Sequence, residues 1–174
     1  MPLIKLKAVG GEASLVDNDS WQFVADDAEL PAKGDVVVGL KRLLGDLDAL
    51  RARSGKLGVR IDPEDELDQA RQALDQVALV ALTFPKFGDG RAYSKARLFR
   101  DRFGYKGELR AVGEVLADQL QYMSRCGFDA LQLAEGKDVA AALRALNDFT
   151  VTYQGASDDP RPLYRRVKRG ERTA

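Results

Sequence analysis

The chain has 174 residues, 27 Lys and Arg against 27 Asp and Glu, no histidine and one cysteine, Cys126. A net charge of zero gives no global attraction to nucleic acid or to an anionic membrane. The missing histidines and the lone cysteine exclude Ser-His-Asp and Cys-His catalysis, histidine-held metals, cysteine-cluster metal sites and an internal disulfide.

The opening MPLIKLKAVGG lacks the apolar core of a signal segment, and no run approaches membrane-spanning length, so a cytoplasmic protein is expected. Residues 1–35 read as an N-terminal β segment, with IKLKAV and WQFVA as its strands. Residues 36–154 read as a repeat of strand and helix. VVVGL (36–40) is a buried strand, followed by one helix carrying Leu40, Leu43, Leu44, Leu47 and Leu50 on a stripe and stopping near Gly55. LGVRI (57–61) is the next strand. Asp62-Pro63-Glu64-Asp65 has the pattern of an N-cap and an acidic first turn. LVALTF (79–84) is the third strand, and its helix ends at Gly104. ELRAV (108–112) is the fourth, with a helix ending at Gly127 as a C′ glycine. DALQL (129–133) is the fifth, then a helix over DVAAALRALNDF, then TVTY (150–153) as a sixth strand. Residues 155–174 read as a mobile basic tail with Arg165, Arg166, Lys168 and Arg169.

Strand alternating with helix predicts α/β architecture with a mostly parallel sheet. The side chains within the strands also alternate. Val59 and Ile61 oppose Arg60, Leu109 and Ala111 oppose Arg110, and Leu131 and Leu133 oppose Gln132. Burying Arg60 and Arg110 under helices is costly unless they are paired. An incomplete (β/α) barrel-like sheet, helices on one face, is therefore favoured over a doubly wound open sheet; paired arginines would restore the latter.

The expected strand starts, near 36, 57, 79, 108, 129 and 150, lie 21 or 22 residues apart except for one interval of 29. The excess falls in FPKFGDGRAYS, after the third strand. Parallel α/β folds bind ligands beyond the carboxyl ends of their strands, and unusually long loops there carry function. Arg60 and Asp62 stand at the end of the second strand. Lys86, Gly88, Asp89, Gly90, Arg91, Tyr93 and Ser94 follow the third. Arg110 lies on the fourth, which leads into Glu114 and Gln119. Arg60, Arg91 and Arg110 are the expected contacts for a small anion, either an oxyanion or the phosphate of a cofactor. Lys86, Gly88, Gly90, Glu114 and Gln119 complete that binding set. Ser94 is expected to cap the next helix beside the anion. Asp89 and Tyr93 are the candidate proton-handling groups. Arg97, Arg100 and Arg102 read as a solvated face. GDG matches neither a P-loop nor GxGxxG, so no particular cofactor is implied.

The block FPKFGDGRAYS, with RFGYKGELRAVGEVLADQLQYMSRCGFDALQL after it, closely resembles the signature region of a bacterial family classed as a domain of unknown function. That family carries the label of an oxidoreductase involved in sulfite reduction. The matching positions are Phe84, Pro85, Phe87, Asp89, Gly90, Arg91, Tyr93, Ser94, Arg97, Arg110, Asp118, Gln119, Cys126, Gly127, Phe128 and Asp129. The resemblance implies a role in assimilatory sulfite reduction. It leaves two forms of that role: a ligand-binding enzyme, or a non-catalytic partner of sulfite reductase. A lone cysteine offers no dithiol couple, so redox chemistry here needs a bound cofactor.

Overall fold

The structure is a computed structural model describing residues 1–7, 12–149 and 151–166. Strands β1 (Leu3–Leu6), β2 (Ala13–Val16), β3 (Trp21–Phe23), β4 (Asp35–Gly39), β5 (Leu57–Ile61), β6 (Leu79–Phe84), β7 (Glu108–Gly113) and β8 (Ala130–Gln132) form one sheet in the order β2-β1-β8-β7-β6-β5-β4-β3. Strands β3 to β8 are parallel, each beside its predecessor. β1 and β2 add antiparallel. Every crossover steps the same way, so right-handed connections put the intervening helices on one face. These are α1 (Leu40–Gly45), α2 (Leu47–Arg51), α3 (Leu67–Arg71), α4 (Arg91–Arg97), α5 (Leu120–Arg125) and α6 (Val139–Ala145). They share one core with Val36, Val38, Val59, Ile61, Val80, Leu82, Leu109, Ala111 and Leu131 of the strands. The architecture is the incomplete, barrel-like α/β sheet that the alternating arginines predict.

A short connection accounts for the curl. β2 and β3 are opposite edges of the sheet, yet only residues 17–20 join them. Strand spacings of about 4.8 Å would separate the edges of a flat eight-stranded sheet by about 34 Å. The connecting chain reaches about 18 Å at most. The sheet must therefore bend toward closure, with the connection lying over its concave face. Asp19 of that connection meets Arg110 on β7, at 2.5 Å from Nη1 and 3.1 Å from Nη2. Glu108 Oε1 accepts from Arg110 Nε at 2.8 Å, and Lys5 Nζ reaches Glu108 Oε2 at 2.7 Å. Arg110 is fully buried. Burial opposes its charge, but the Asp19 and Glu108 carboxylates outweigh that and hold its pKa above the ordinary value. One lateral row of the concave face reads Arg60, Ala81, Arg110, Ala130 and Lys5, so a small residue stands beside each long cation. Trp21 covers the amino end of the same face. A Cβ at Gly58 would lie 3.1 Å from Val37, 3.2 Å from Leu79 and 3.2 Å from the indole, so glycine makes room for the ring.

Several local expectations are corrected. No strand forms at Val151–Tyr153, and Thr150 lies outside the described residues. β1 already occupies the edge of β8 where a sixth repeat strand would add. Tyr153 O instead accepts from Leu163 N at 2.9 Å, where the chain returns as α7 (Leu163–Arg166). The described part of the expected tail is thus docked: Ser157 N donates to Arg125 O at 3.0 Å and Arg125 pairs with Asp158 at 3.1 Å. Lys168 and Arg169, like Ala8 and Val9 of the first expected strand, lie outside the described residues. The leucine-striped helix is broken at Asp46 into α1 and α2. The helix expected at Pro63 starts at Leu67, because the Lys95 ammonium takes the carbonyls of Asp62 (2.8 Å) and Asp65 (2.7 Å). Arg100 is no solvated cation: it donates to Gly127 O, Tyr105 O and Gly107 O and pairs with Asp129 at 2.8 Å.

Asp19→Ala leaves Arg110 with one carboxylate and is expected to cost about 1.5–3 kcal/mol in urea unfolding. The Arg110 bonds hold the Asp19 carboxyl below its ordinary value of 3.8 against the opposing effect of burial. Its contribution is therefore present above that pH and lost as pH falls below it. The difference between wild type and Asp19→Ala should shrink on that acid side and stay flat above it. Gly58→Val should displace the only tryptophan, red-shift its emission and cost about 1–3 kcal/mol; unchanged emission would show the indole is not seated there.

Candidate functional site

The stretch after β6 is a shorter loop than its sequence predicts. α4 starts at Arg91, leaving residues 85–90 as the connection. The rest of the long interval is helix, α4 running on through a widened turn, Leu98–Arg102, in which Phe103 N reaches back five residues to Leu98 O. Ser94 is an exposed residue within α4, not its cap. Asp89 holds the helix start: Oδ1 accepts from Arg91 N at 3.2 Å and from Arg91 Nε at 3.0 Å, and Oδ2 accepts from Nη2 at 2.6 Å. Arg91 Nη2 also reaches Glu64 at 3.0 Å, tying this loop to the one after β5. The guanidinium holds the Asp89 carboxyl down at about 2. Burial pushes the Tyr93 phenol up to about 12. Neither group changes protonation near neutral pH, where general acid–base catalysis is most effective.

The predicted site residues divide between two faces. Tyr93 packs on the helix side, 5.1 Å from the Phe84 ring and 5.2 Å from Tyr122. Gln119 is also turned inward there, its Oε1 accepting from Leu116 N at 3.2 Å. Lys86, Gly88, Gly90 and Glu114 are exposed around the strand ends. Arg110 is on the concave face but spent on Asp19 and Glu108. Arg60, Arg91 and Arg110 thus make three separate sets of ion pairs and do not converge. Arg60 alone lines an open concavity. Cys126 is buried among core residues, and burial raises its thiol above the ordinary range.

That concavity is the carboxyl-end mouth of the curled sheet. It holds about 290 Å³ and is lined by Met1, Phe23, Arg60, Thr83, Val112, Gly113 and Gln132. Arg60 Nε donates to Asp62 Oδ2 at 3.3 Å, which draws the guanidinium along the strand toward the rim. Its terminal nitrogens donate to no protein group among the described residues. Thr83 Oγ1 and Gln132 Oε1 are buried without a hydrogen-bond partner. An unpaired buried polar atom costs about 1–3 kcal/mol, and native proteins keep few. Here two of them belong to residues that line one cavity, though the atoms themselves are closed off from it. Gly113, at φ +96°, turns the chain against Phe84 O, which a Cβ would approach to 2.4 Å; this close turn forms part of the wall. Period-two alternation foreshadowed Gln132. Thr83 carried the same signal as the only hydroxyl in LVALTF, in period-two step with Leu79 and Ala81 on the concave side. Phe23 and Gly113 had no such signal, because they join the site only through the curl.

The mouth of this singly wound, barrel-like α/β sheet lies at the strand ends, the end at which parallel α/β folds in general hold their ligands. The chain belongs to the family described as Bacterial protein of unknown function (DUF934), whose model matches residues 58–164. No curated protein matches the chain. The matched span includes Arg60, Thr83, Val112, Gly113 and Gln132 but neither Asp19 nor Trp21. Among the described residues no helix is long and apolar enough to cross a membrane.

Thr83→Val removes one orphaned hydroxyl while keeping the side chain's shape. It should stabilise the fold by about 1 kcal/mol, raising the melting temperature by about 2–4 °C. A loss of stability in differential scanning calorimetry would show that the hydroxyl has a protein partner in solution.

Proposed function

We propose that the protein binds a small ligand bearing an oxyanion or phosphate at the mouth of its sheet, with Arg60 as the charge contact, in the service of sulfite reduction. The observation that carries this reading is the open mouth at the carboxyl ends of the strands, lined by Arg60, whose terminal guanidinium nitrogens donate to no protein group among the described residues. The sulfite connection comes from the resemblance carried by FPKFGDGRAYS and the residues after it. The cavity is at the lower end of the volumes typical of ligand pockets, about 300–1,000 Å³. It fits a small molecule, or the head of a larger one whose remainder lies over the rim. No carboxylate or thiol lines it, so the polypeptide contributes binding and orientation while any redox chemistry belongs to the ligand.

A second reading, a protein that docks on sulfite reductase, is favoured by the exposed apolar residues Phe149, Val151, Tyr153 and Tyr164. Gel filtration of a mixture with purified sulfite reductase tests it: co-elution supports docking and independent elution ends it.

For the ligand reading, thermal unfolding is followed with sulfite, inorganic phosphate, flavin mononucleotide or NADPH. A ligand at a hundred times its Kd should stabilise the protein by about 2.7 kcal/mol. Arg60→Gln should weaken that ligand about tenfold or more, as expected for a lost charge-assisted bond. Arg91→Gln, whose guanidinium two carboxylates already hold, should leave binding within about twofold of wild type. No stabilisation by any of the four would count decisively against the proposal.

A further inference from the structure

We infer that the occupant of the mouth is an amphiphilic monoanion: a single aromatic ring seated in the concavity, with one carboxylate reaching Arg60 at the rim. This rests on the mouth being an anion site, as proposed above, and adds what the rest of the ligand is made of.

The lining is divided by chemistry. Thr83 Oγ1 and Gln132 Oε1 are closed off behind it, so these side chains offer no oxygen to an occupant, and the accessible surface is almost wholly apolar. Phe23 of the edge strand β3 and Met1 ahead of β1 join Val112 and Gly113 of β7 in forming it. Phe23 is 41% exposed, an aromatic ring left uncovered at a concave surface. Such a surface is stabilised by covering it with apolar area. It does nothing for a bare oxyanion, which would lose hydration against it without gaining a partner. An aromatic body also makes offset or edge-on contact with Phe23.

Arg60 is the only charged side chain among the lining residues. Its Nε is taken by Asp62 Oδ2 at 3.3 Å, and its terminal nitrogens donate to no protein group among the described residues. Those two nitrogens form an end-on fork that matches the two oxygens of a planar carboxylate. Asp62 already stands on the same guanidinium, so a second negative charge on the occupant meets repulsion there. One carboxylate therefore suits the rim better than a phosphate dianion. The volume agrees with a ring. An apolar cavity of about 150 Å³ already holds benzene, so about 290 Å³ has room for one ring and a short arm to the rim.

The test compares four probes on the full chain: phenylacetate, a ring with one carboxylate; benzyl alcohol, the same ring uncharged; acetate, the charge without the ring; and inorganic phosphate. Binding is read from the methyl resonances of Thr83 and Val112. Phenylacetate is expected to bind about tenfold or more tightly than each of the other three. Arg60→Gln should bring it down to the level of benzyl alcohol, and Phe23→Ala should weaken it severalfold while leaving acetate unchanged. Neither side chain is buried, so both variants should remain folded, which their unperturbed core methyl spectra would verify. Acetate or phosphate binding as tightly as phenylacetate, with Arg60 required, overturns the apolar body and leaves the anion-site reading intact. Benzyl alcohol binding as tightly as phenylacetate overturns both, since Arg60 then contributes nothing. No probe moving these resonances also overturns both.

Discussion

The rest of the structure depends on the four-residue link between β2 and β3. A sheet of eight strands has no intrinsic reason to bring its edges together; twist alone would leave it open. Joining opposite edges with residues 17–20 removes the open alternative, because the chain cannot span it. The link also carries Asp19 into the curled interior, where it meets the one arginine that the helix-free face buries completely. Covalent connectivity imposes the curvature, and the Asp19–Arg110 pair fixes where the link lies. With Trp21 covering Gly58 beside it, the amino end of the concave face is filled.

This asymmetry separates a fully paired end from an incompletely paired one along a single face. At the amino end, every charge of the Lys5–Glu108–Arg110–Asp19 chain has a partner within 3.1 Å. At the carboxyl end, two buried polar atoms have none, and the guanidinium of Arg60 uses only Nε. A buried network that is fully satisfied rigidifies a fold, whereas isolated unpaired groups weaken it. Both unpaired atoms belong to residues at the end where parallel α/β sheets in general hold ligands.

Much of this was legible in the sequence, and the failures have identifiable causes. Period-two alternation in LGVRI, ELRAV and DALQL placed Arg60, Arg110 and Gln132 on one face, and the cost of covering two arginines argued for helices on the other. β4 to β7 fall within a residue of their expected positions. What alternation cannot show is which of two like residues is already paired. Arg60 and Arg110 look equivalent in sequence, and the difference is made by Asp19, ninety-one positions away from Arg110. The polar loop after β6 drew attention for its composition, yet its charges close on one another: Asp89 holds Arg91, and Glu64 holds it from the neighbouring loop. The sixth expected strand failed for a long-range reason as well, since TVTY has ample β propensity but its place was taken.

That displaced strand bears on how the repeat ends. A series of βα units laid side by side has an unpaired edge after every unit, so nothing within the units tells the array to stop. Here the stop is supplied by β1, running antiparallel along β8 and pairing Leu3 with Gln132 and Lys5 with Ala130. A strand from the start of the chain terminates the array at its far end. In doing so it seals Ile4 against the helix-side core and aligns Gln132 at the mouth. The architecture is thereby limited to a fraction of a full barrel, and its interior stays shallow, open at one end and no deeper than the few rows of side chains that line it.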